Sequence, residues 1–539
     1  MNRRTFVSGS ALAAGVIFRG GLPIAQAAKA AKVATGGSPI LETTGGKVRG
    51  AQSGKVFAFK GIHYGAPTTG KMRFMPPAKV EPWAGVKDAL DIGQRAPQLP
   101  GNLVPEYSVM ERTEPMGGDC LVVNVFTTGI KDGRKRPVMF WLHGGGFSAG
   151  SGGGNVLYDG SNLALKHDVT VVTVNHRLNV FGYTYLADLG GERFAQASNA
   201  GMLDIILALE WVKDNAAEFG GDPNNVTIFG QSGGGSKVST LLGMPAAKGL
   251  FHRAIAMSGS QVRSITREDA TKAADALMKK LDIKDVADLQ TVPMLKLLSM
   301  TRPGAIGMPW PLGPVVDGKT LPAHIFDPKA TTISEDIPLM IGSTETEVTW
   351  NAQQQYDPMD DNALRANLVD ALKVTPAGAD KVLSVYKKNR PMASNLDIYL
   401  LASTDASNFR TGTDTQAMRK AELGKGPVYK YYFQKYSPVR DGMLRSMHTM
   451  DLPFAWDNVA VAKTEIGSGA DLQPLADRMS GAWTAFARTG NPNHKGIPTW
   501  SPYTPSQRAT MIFNVECKVV NDPYREEKDA IADAQTKKS

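Results

Sequence analysis

The 539-residue sequence has little of what several protein classes require. Only two cysteines occur, Cys120 and Cys517, and we expect Cys120 to be a buried thiol. No apolar run reaches the length of a membrane-spanning helix, and Arg19 and several glycines interrupt the apolar stretch near the N-terminus. The sequence also has no internal repeat, heptad run or low-complexity tract. These absences argue against stable membrane insertion, a coiled coil and a repeat protein.

The sequence offers equally little for a metal ion, a cofactor or a nucleic acid to bind. Its eight histidines, two cysteines and carboxylates form no cluster with ligand spacing, so we expect no metal and no organic cofactor. The formal net charge is +9, but most basic residues are scattered among acidic ones. The short basic clusters contain no interleaved aromatic residues, so we expect no nucleic-acid partner.

One segment, by contrast, carries a specific pattern. The apolar run Val226–Phe229 ends abruptly in Gly-x-Ser-x-Gly, centred on Ser232. A strand that turns sharply into a helix predicts a nucleophile elbow, in which a strained turn exposes the serine and flanking glycines remove clashing Cβ atoms. Gly146–Gly150 has the same pattern around Ser148, but no apolar run directly precedes it. The context therefore favours Ser232 as a nucleophile.

A second glycine-rich segment, His143–Phe147, directly follows the buried-strand pattern Pro137–Leu142. Successive glycines let backbone N–H groups point into a cavity, where they can stabilise the negative oxygen that forms when a carbonyl is attacked. Gly145 and Gly146 are the predicted oxyanion donors, with the N–H of Gly233 as a third. Considered alone, the segment is more typical of a tight, glycine-rich surface loop. The predicted nucleophile follows about 85 residues downstream, as the topology of an α/β-hydrolase requires.

Other segments predict the elements around these motifs. Val169–Asn175 is apolar and β-branched, as expected of a buried parallel strand. Apolar residues recur at helical spacing from Gly201 to Phe219, which predicts a helix that packs on the sheet. Ala254–Ser258 and Pro338–Gly342 are further candidate strands, each ending where such a sheet presents functional loops.

Together these motifs resemble type-B carboxylesterases, the α/β-hydrolase family that includes bacterial esterases, cholinesterases and the non-catalytic neuroligins. The resemblance extends from about Val48 to Pro523. It includes, in the family's order, the blocks Phe59–Pro67 with Arg73–Pro77, Gly118–Val125, Asn199–Asp204 and Phe219–Pro223. It implies an α/β-hydrolase fold, with a mostly parallel central sheet, helices on both faces and large loop insertions.

The N-terminus predicts export. Arg3 and Arg4 lie in a segment that resembles a twin-arginine signal, and a mildly apolar stretch and the small-residue site Ala25–Ala27 follow. We expect residues 1–27 to be a signal peptide and residues 28–539 to form one catalytic domain in a periplasmic or secreted protein. No cysteine lies near the predicted cleavage site, which argues against a lipid anchor.

The resemblance also assigns a base and an acid. A serine nucleophile needs a base, and histidine is suited because its reference pKa lies near neutrality. His448, which follows the strand pattern Val428–Phe433, lies where the family has its catalytic histidine. Glu347 matches the position of the family's acid, and Glu345 is the alternative. We expect the carboxylate that is not used to be a solvated loop charge.

The substrate pocket is assigned by a weaker resemblance. The segment Gly307–Gly318 resembles the block at the acyl-pocket wall, which makes Met308, Trp310 and Leu312 candidate pocket residues. Trp310 could equally be a structural residue packed under a proline-rich loop, because tryptophan is usually largely buried. Ser258 resembles a serine behind the elbow, and an ordinary hydroxyl at a strand end is the alternative.

Several positions depart from the family's pattern. Gln231 replaces the usual glutamate before the serine, Gly233 replaces an alanine, Val348 replaces a glycine and Asp451 replaces a glutamate. A neutral Gln231 is expected to alter the electrostatics beside the nucleophile. Gln94–Gln98 has no cysteine for the family's N-terminal disulfide, and the loop that follows has no tryptophan to face a quaternary ammonium group. This last absence argues against a cholinesterase.

The sequence therefore predicts a serine carboxylesterase that acts on a small-molecule ester through an acyl-enzyme. Ser232 is the predicted nucleophile, His448 the base and Glu347 the acid. A neuroligin-like binding protein is the alternative from another class, and the complete set of catalytic residues argues against it. An amidase or a thioesterase with the same residues stays open, because the acyl-enzyme chemistry is shared.

Overall fold

The computed structural model describes residues 38–101, 104–311, 313–350 and 359–536. The predicted signal peptide and Leu312 lie outside these ranges. The strands of the described residues are β1 (Ile40–Thr43), β2 (Gly46–Arg49), β3 (Ala51–Ser53), β4 (Val56–His63), β5 (Val86–Asp88), β6 (Val122–Thr127), β7 (Arg136–Leu142), β8 (Thr170–Val174), β9 (Gly221–Gln231), β10 (Arg253–Met257), β11 (Leu339–Thr344), β12 (Val428–Phe433), β13 (Ala509–Phe513) and β14 (Lys518–Asn521).

The helices follow the same chain order. They are α1 (Pro105–Ser108), α2 (Ser161–His167), α3 (Asn179–Gly182), α4 (Ala187–Gly190), α5 (Ala200–Asn215), α6 (Gly233–Leu241), α7 (Arg267–Leu281), α8 (Met294–Ser299), α9 (Asp361–Leu372), α10 (Pro376–Asn389), α11 (Asn395–Ala406), α12 (Asn408–Glu422), α13 (Leu452–Ala455), α14 (Lys463–Ile466), α15 (Leu472–Thr489) and α16 (Arg525–Thr536).

The strands of the described residues form two sheets. The larger has the order β14-β13-β12-β11-β10-β9-β7-β8-β6-β4-β3, and β1, β2 and β5 form the smaller. All neighbours from β13 to β8 are parallel, whereas the strands at both edges pair antiparallel. The central parallel strands are buried along their length, which explains their nearly continuous apolar sequences.

Strand β7 shows how the sheet separates two apolar cores. Phe140 and Leu142 belong to a cluster that includes α5 and α6, while Met139 and Trp141 belong to one that includes α15. Successive side chains of a strand point to opposite faces, so one strand contributes to both cores. Helices therefore cover both faces of the sheet, as the resemblance implied.

The secondary structure agrees closely with the sequence patterns. The predicted strands before the glycine loop and in the other apolar segments correspond to β7, β8 and β10 to β12 within two residues at each end. The strand before the elbow is longer than its apolar run Val226–Phe229, because β9 already begins at Gly221. The predicted helix from Gly201 ends at Asn215 rather than at Phe219. Turns follow, and Gly220, with φ 70°, leads the chain into β9. The apolar helical spacing of the sequence continues past Asn215, where the helix ends, because Ala216 and Phe219 are buried in the same core as α5.

The order of the strands in the larger sheet determines where the two glycine-rich motifs lie. The chain passes from β7 outward to β8 and then back across to β9, so β7 and β9 are neighbours and the connections from their carboxyl ends diverge. In open α/β sheets, ligands bind at such a switch point, outside the carboxyl ends of the strands. The two glycine-rich motifs follow β7 and β9 directly, so they meet at this point.

Candidate active site

Ser232 occupies the turn between β9 and α6, with φ 58° and ψ −126°. A side chain in this region costs on the order of 1–3 kcal/mol, so the surroundings must hold it. Its N–H donates to the Met257 carbonyl at 2.8 Å, and its own carbonyl accepts from the Ser236 N–H at 3.0 Å. The residue is partly exposed. The predicted elbow geometry is therefore present, with an accessible hydroxyl.

The glycines of the elbow allow backbone segments to touch. A Cβ at Gly230 would lie 2.5 Å from the carbonyl carbon of Gly234, and one at Gly234 would lie 1.9 Å from the Leu142 oxygen. Either distance is a severe clash with backbone. The close approach of β9, α6 and the end of β7 therefore requires glycine at both positions.

The glycine loop folds back on itself beside the elbow. The N–H groups of Ser148 and Ala149 donate to the Gly145 carbonyl at 3.2 and 3.0 Å, while Gly145 and Gly146 adopt φ values of 85° and 63°. Among the described residues, the N–H groups of Gly145 and Gly146 have no acceptor. The Ser148 hydroxyl donates to the Gly145 carbonyl at 3.2 Å, so the second Gly-x-Ser-x-Gly segment is part of this loop.

Gly233 joins the two motifs. A Cβ there would lie 2.1 Å from the Gly146 carbonyl oxygen, so the alanine usual at this position would displace the loop. Gly233 is also the first residue of α6, and the N–H groups of a helix's first turn have no partner within the helix. The structure thus brings all three predicted oxyanion donors together next to Ser232.

Glu347 and His448 meet across two loops. Glu347 begins a short 3₁₀ helix after β11, and His448 lies after β12. The carboxylate Oε2 accepts from the imidazole Nδ1 at 2.5 Å, and Oε1 accepts from the Thr344 N–H at 2.7 Å. Both side chains are buried. The two residues that the sequence assigned as acid and base are therefore in direct contact.

The surroundings of Glu347 stabilise the ionised form of its carboxylate. Burial alone would raise the pKa of Glu347, but His448 and the Thr344 N–H, which both contact its carboxylate, lower that pKa below its usual value. The buried carboxyl of Asp451 lies close by and accepts from the Tyr431 hydroxyl at 2.8 Å. Burial and the charge of Glu347 raise the pKa of Asp451 to about 7. The site therefore favours a charged Glu347 that can stabilise an imidazolium.

The alternative acid, Glu345, faces another partner. Its carboxylate pairs with Arg390 at 3.3 Å and accepts from the Gln434 amide at 3.2 Å. It is only 8% exposed, and burial raises the pKa of Glu345. The expectation of a solvated loop charge was wrong, because this loop packs against α10 and β12 rather than lying in solvent.

Gln231 contacts the base directly. Its side-chain Nε2 lies 3.2 Å from Nε2 of His448, and Gln231 is almost fully buried. When Nδ1 carries the proton donated to Glu347, the other ring nitrogen is free to accept from the Gln231 amide. No hydrogen bond joins Ser232 to His448 among the described contacts. The amide thus occupies the imidazole atom that a serine proton would reach.

Two aromatic residues that no motif indicated flank the imidazole. The ring centroids of Phe409 and Trp350 lie 4.6 and 5.9 Å from that of His448, and both side chains are partly exposed. Phe409 belongs to α12 and Trp350 to the 3₁₀ helix of Glu347. They provide apolar surface beside His448. Their position follows from packing between distant segments, which a single sequence does not reveal.

Two of the predicted pocket residues, Met308 and Trp310, pack in an apolar cluster, and their segment approaches the glycine loop at Gly313. Trp310 is 8% exposed in an apolar cluster with Phe181 and Leu297, and Met308 packs against that cluster. A Cβ at Gly313 would lie 3.3 Å from the Phe147 ring, so the segment borders the end of the glycine loop. Burial of Trp310 agrees with the structural alternative, and its role in a pocket stays a prediction.

The remaining histidines have partners other than Ser232 and Glu347. His63 pairs with Asp119 at 3.2 Å, and His143 stacks on His176 with ring centroids 5.0 Å apart. The others contact Ser480 (His167), Val226 (His252), Ser264 (His324) and Arg478 (His494). These contacts leave His448 as the histidine that is paired with Glu347.

Both cysteines are free thiols, and Cys120 is buried as predicted. Burial, with Asp204 as the next contribution, raises the pKa of Cys120 to about 12. Within the described ranges, no helix combines the length and apolar character needed to cross a membrane, and no group of His, Cys, Asp and Glu side chains is arranged to hold a metal ion.

A mostly parallel sheet covered on both faces, with a nucleophile elbow after a central strand, defines an α/β-hydrolase. The sequence profile described as Carboxylesterase family matches residues 37–532. Para-nitrobenzyl esterase of Bacillus subtilis is 35% identical over 91% of this chain and 98% of its own, and phenmedipham hydrolase of Pseudarthrobacter oxydans is 32% identical over 89% and 95%. The chain belongs to the carboxylesterase family, and its similarity to named esterases and hydrolases identifies it as a carboxylic ester hydrolase.

Solved structures agree with this assignment. An esterase of Clostridium hathewayi that can hydrolyse aliphatic aromatic polyesters superposes with a TM-score of 0.80 at 34% identity, over 92% of this chain and 98% of its own. A carboxylesterase of Geobacillus stearothermophilus gives a TM-score of 0.76 at 34% identity, over 91% and 99%. The resemblance seen in the sequence motifs is thereby confirmed over nearly the whole described chain.

Proposed function

We propose that this carboxylesterase acts through Ser232 as nucleophile, His448 as base and Glu347 as the orienting acid. The observation that carries the proposal is the 2.5 Å contact between Glu347 Oε2 and His448 Nδ1, formed next to the elbow by residues far apart in sequence. This contact leaves Nε2 of the imidazole as the proton acceptor. Gly145, Gly146 and Gly233 supply the N–H groups for the oxyanion.

The reaction then proceeds in two halves. Ser232 Oγ attacks the ester carbonyl carbon while His448 Nε2 takes the hydroxyl proton, and the negative oxygen accepts hydrogen bonds from the three glycines. Collapse of this intermediate expels the alcohol, which takes the proton from His448 and leaves an acyl group on Ser232. Water, deprotonated by His448, attacks the acyl group in the same way and releases the acid.

Gln231 adds one step to this sequence. Its amide contacts His448 Nε2, so the imidazole must exchange that contact for the Ser232 hydroxyl before the proton moves. Hydrogen bonds in an empty site are often looser than in the substrate complex, and a turn of either side chain brings about such an exchange. A neutral amide costs less to displace than a charged partner would.

The substrate is proposed to be a small neutral carboxylic ester. Para-nitrobenzyl esterase and the polyester-hydrolysing esterase are named for esters with aromatic groups, and Phe409 and Trp350 beside His448 offer an aromatic surface here. The test is a panel of esters, thioesters and amides with matched acyl groups. Esters are expected to react fastest. Preferential cleavage of amides or thioesters would favour the other acyl-transfer functions, and no turnover of any member would favour a binding protein.

Replacement of Trp310 by alanine tests the predicted pocket wall. If this residue limits the acyl pocket, the variant should raise kcat/KM for long acyl esters relative to acetate, because each accommodated methylene contributes about 0.8 kcal/mol. The acyl-length profile of p-nitrophenyl esters measures this ratio. Leu297→Ala serves as the matched control, because it removes apolar volume from the same cluster at a residue that is not assigned to the pocket. An unchanged profile in a folded variant would assign Trp310 a structural role only.

We also propose that the protein is exported through its twin-arginine segment. Replacing Arg3 and Arg4 by lysine is expected to trap the precursor in the cytoplasm, because the pair is the recognised feature of such signals. Cell fractionation followed by immunoblotting of wild type and variant measures the distribution. Unimpaired export of the double-lysine variant would point to a different route.

A further inference from the structure

Lys237 is a buried cation directly behind the glycine loop. It lies in the second turn of α6, and its side chain has no solvent exposure. The Nζ atom donates to the carbonyl oxygen of His143 at 3.0 Å and lies 5.6 Å from the centre of the Phe147 ring. Among the described residues no carboxylate lies within ion-pair distance of it. Its charge is therefore unbalanced in the interior.

Such a charge is costly. An ion moved into a protein interior loses several kcal/mol of solvation, which an ion pair or several hydrogen bonds normally offset. Burial lowers the pKa of Lys237 to about 7, and the facing side chains His143 and His176 have pKa values well below normal through burial and the charge of Lys237. Both imidazoles are thereby kept neutral. An unbranched apolar side chain would fill the same space without this penalty.

The position of the Lys237 charge indicates a role at the glycine loop. The carbonyl that Lys237 binds belongs to the peptide that joins His143 to Gly144, at the start of the glycine loop. A hydrogen bond to this carbonyl fixes the plane of the peptide and polarises its N–H. Negative charge develops at the N–H groups of Gly145 and Gly146 when the ester is attacked. A positive charge on Lys237, which is present below its pKa of about 7, stabilises that negative charge more strongly in a poorly solvated region than in water.

We propose that Lys237 is a positioning residue: it holds the glycine loop through the His143 carbonyl, and its positive charge stabilises the oxyanion across the loop. The inference rests on the proposed function, because it assumes an oxyanion bound at Gly145 and Gly146. It concerns a residue of α6 that touches neither the substrate nor the triad. The cost of the buried charge is then offset in the transition state rather than in the resting fold.

Three variants of Lys237 separate charge from packing. Lys237→Met removes charge and donor, Lys237→Gln keeps a donor without charge, and Lys237→Arg keeps both. At a pH below the pKa of Lys237, where its amine is charged, we expect kcat to fall about 10- to 100-fold in the methionine variant, with KM changed less than about threefold, because the lost interaction is made in the transition state. The glutamine variant should be intermediate, and the arginine variant should recover most of kcat.

Stability supplies a second readout. Replacing a buried, unpaired charge by an apolar side chain is often neutral or stabilising, so the Tm of Lys237→Met should not fall. Lys420 is the matched control: it is equally buried, donates to the Ser334 and Glu335 carbonyls at 2.6 and 2.8 Å, and lies in α12. Lys420→Met is expected to leave kcat unchanged within about twofold.

Binding of an alkylboronic acid gives a third readout. Its serine adduct is tetrahedral and anionic, so its affinity should fall in parallel with kcat in the methionine variant. An unchanged boronate affinity and kcat, an equal loss of kcat in Lys420→Met, or a Lys237→Met protein that unfolds or loses Tm would each overturn the proposal. Failure of the proposed function would differ, because the wild type itself would then not hydrolyse esters, or Ser232→Ala would remain active.

Discussion

Ser232→Ala is expected to lose ester hydrolysis by on the order of a millionfold in kcat, because removal of a triad serine abolishes the covalent route. The strained φ of 58° at this position is held by the elbow's backbone contacts, which alanine preserves. The variant should therefore fold with an unchanged Tm and still bind substrate. Hydrolysis of a short p-nitrophenyl ester under single-turnover conditions measures the loss, and mass spectrometry should find no acyl adduct.

Ser148→Ala is the matched control, because it changes the other serine in a Gly-x-Ser-x-Gly segment. Its hydroxyl donates to the Gly145 carbonyl within the glycine loop, so we expect a decrease of only a few-fold from a looser loop. If Ser148→Ala lost the activity while Ser232→Ala retained it, the assignment of the nucleophile would be wrong.

Glu347→Gln is expected to lower kcat by about 10⁴-fold, the size of effect seen when the acid of a serine triad becomes an amide. An amide would donate to His448 Nδ1, so the proton of the neutral imidazole would move to Nε2. That tautomer cannot accept the proton of Ser232. The carbonyl oxygen of glutamine can still accept the Thr344 N–H, which limits disruption of the loop. Steady-state kinetics and the Tm of the folded variant measure the two effects separately.

Glu345→Gln controls for the loss of a buried carboxylate in the same loop. It removes the ion pair with Arg390, so we expect a lower Tm but a kcat within about threefold of wild type. A large loss of kcat in Glu345→Gln, with Glu347→Gln nearly unaffected, would exchange the roles of these residues. Equal losses in both variants would indicate that the loop, rather than one carboxylate, matters for activity.

The fold was largely predictable because its strongest signals are local. An apolar run that ends in glycines, such as the one before Ser232, specifies both a buried strand and a sharp turn, and each is a property of neighbouring residues. Helix ends were less certain: α5 ends four residues before its apolar periodicity does, because Ala216 and Phe219 remain in the core after the helix has stopped. Burial, rather than helical hydrogen bonding, maintains the pattern there.

The sequence by itself determined the class of this protein and its candidate nucleophile, because glycine spacing and strand patterns encode backbone geometry over a few residues. Only the tertiary structure decided which partner each buried polar group received. It joined Glu347 to His448, paired Glu345 with Arg390 and placed the amide of Gln231 against the imidazole. It also left Lys237 without a counter-charge among the described residues. These pairings depend on which loops the order of parallel strands brings together at one edge of the sheet. Residues far apart in sequence are in contact there, and no local sequence pattern predicts these contacts.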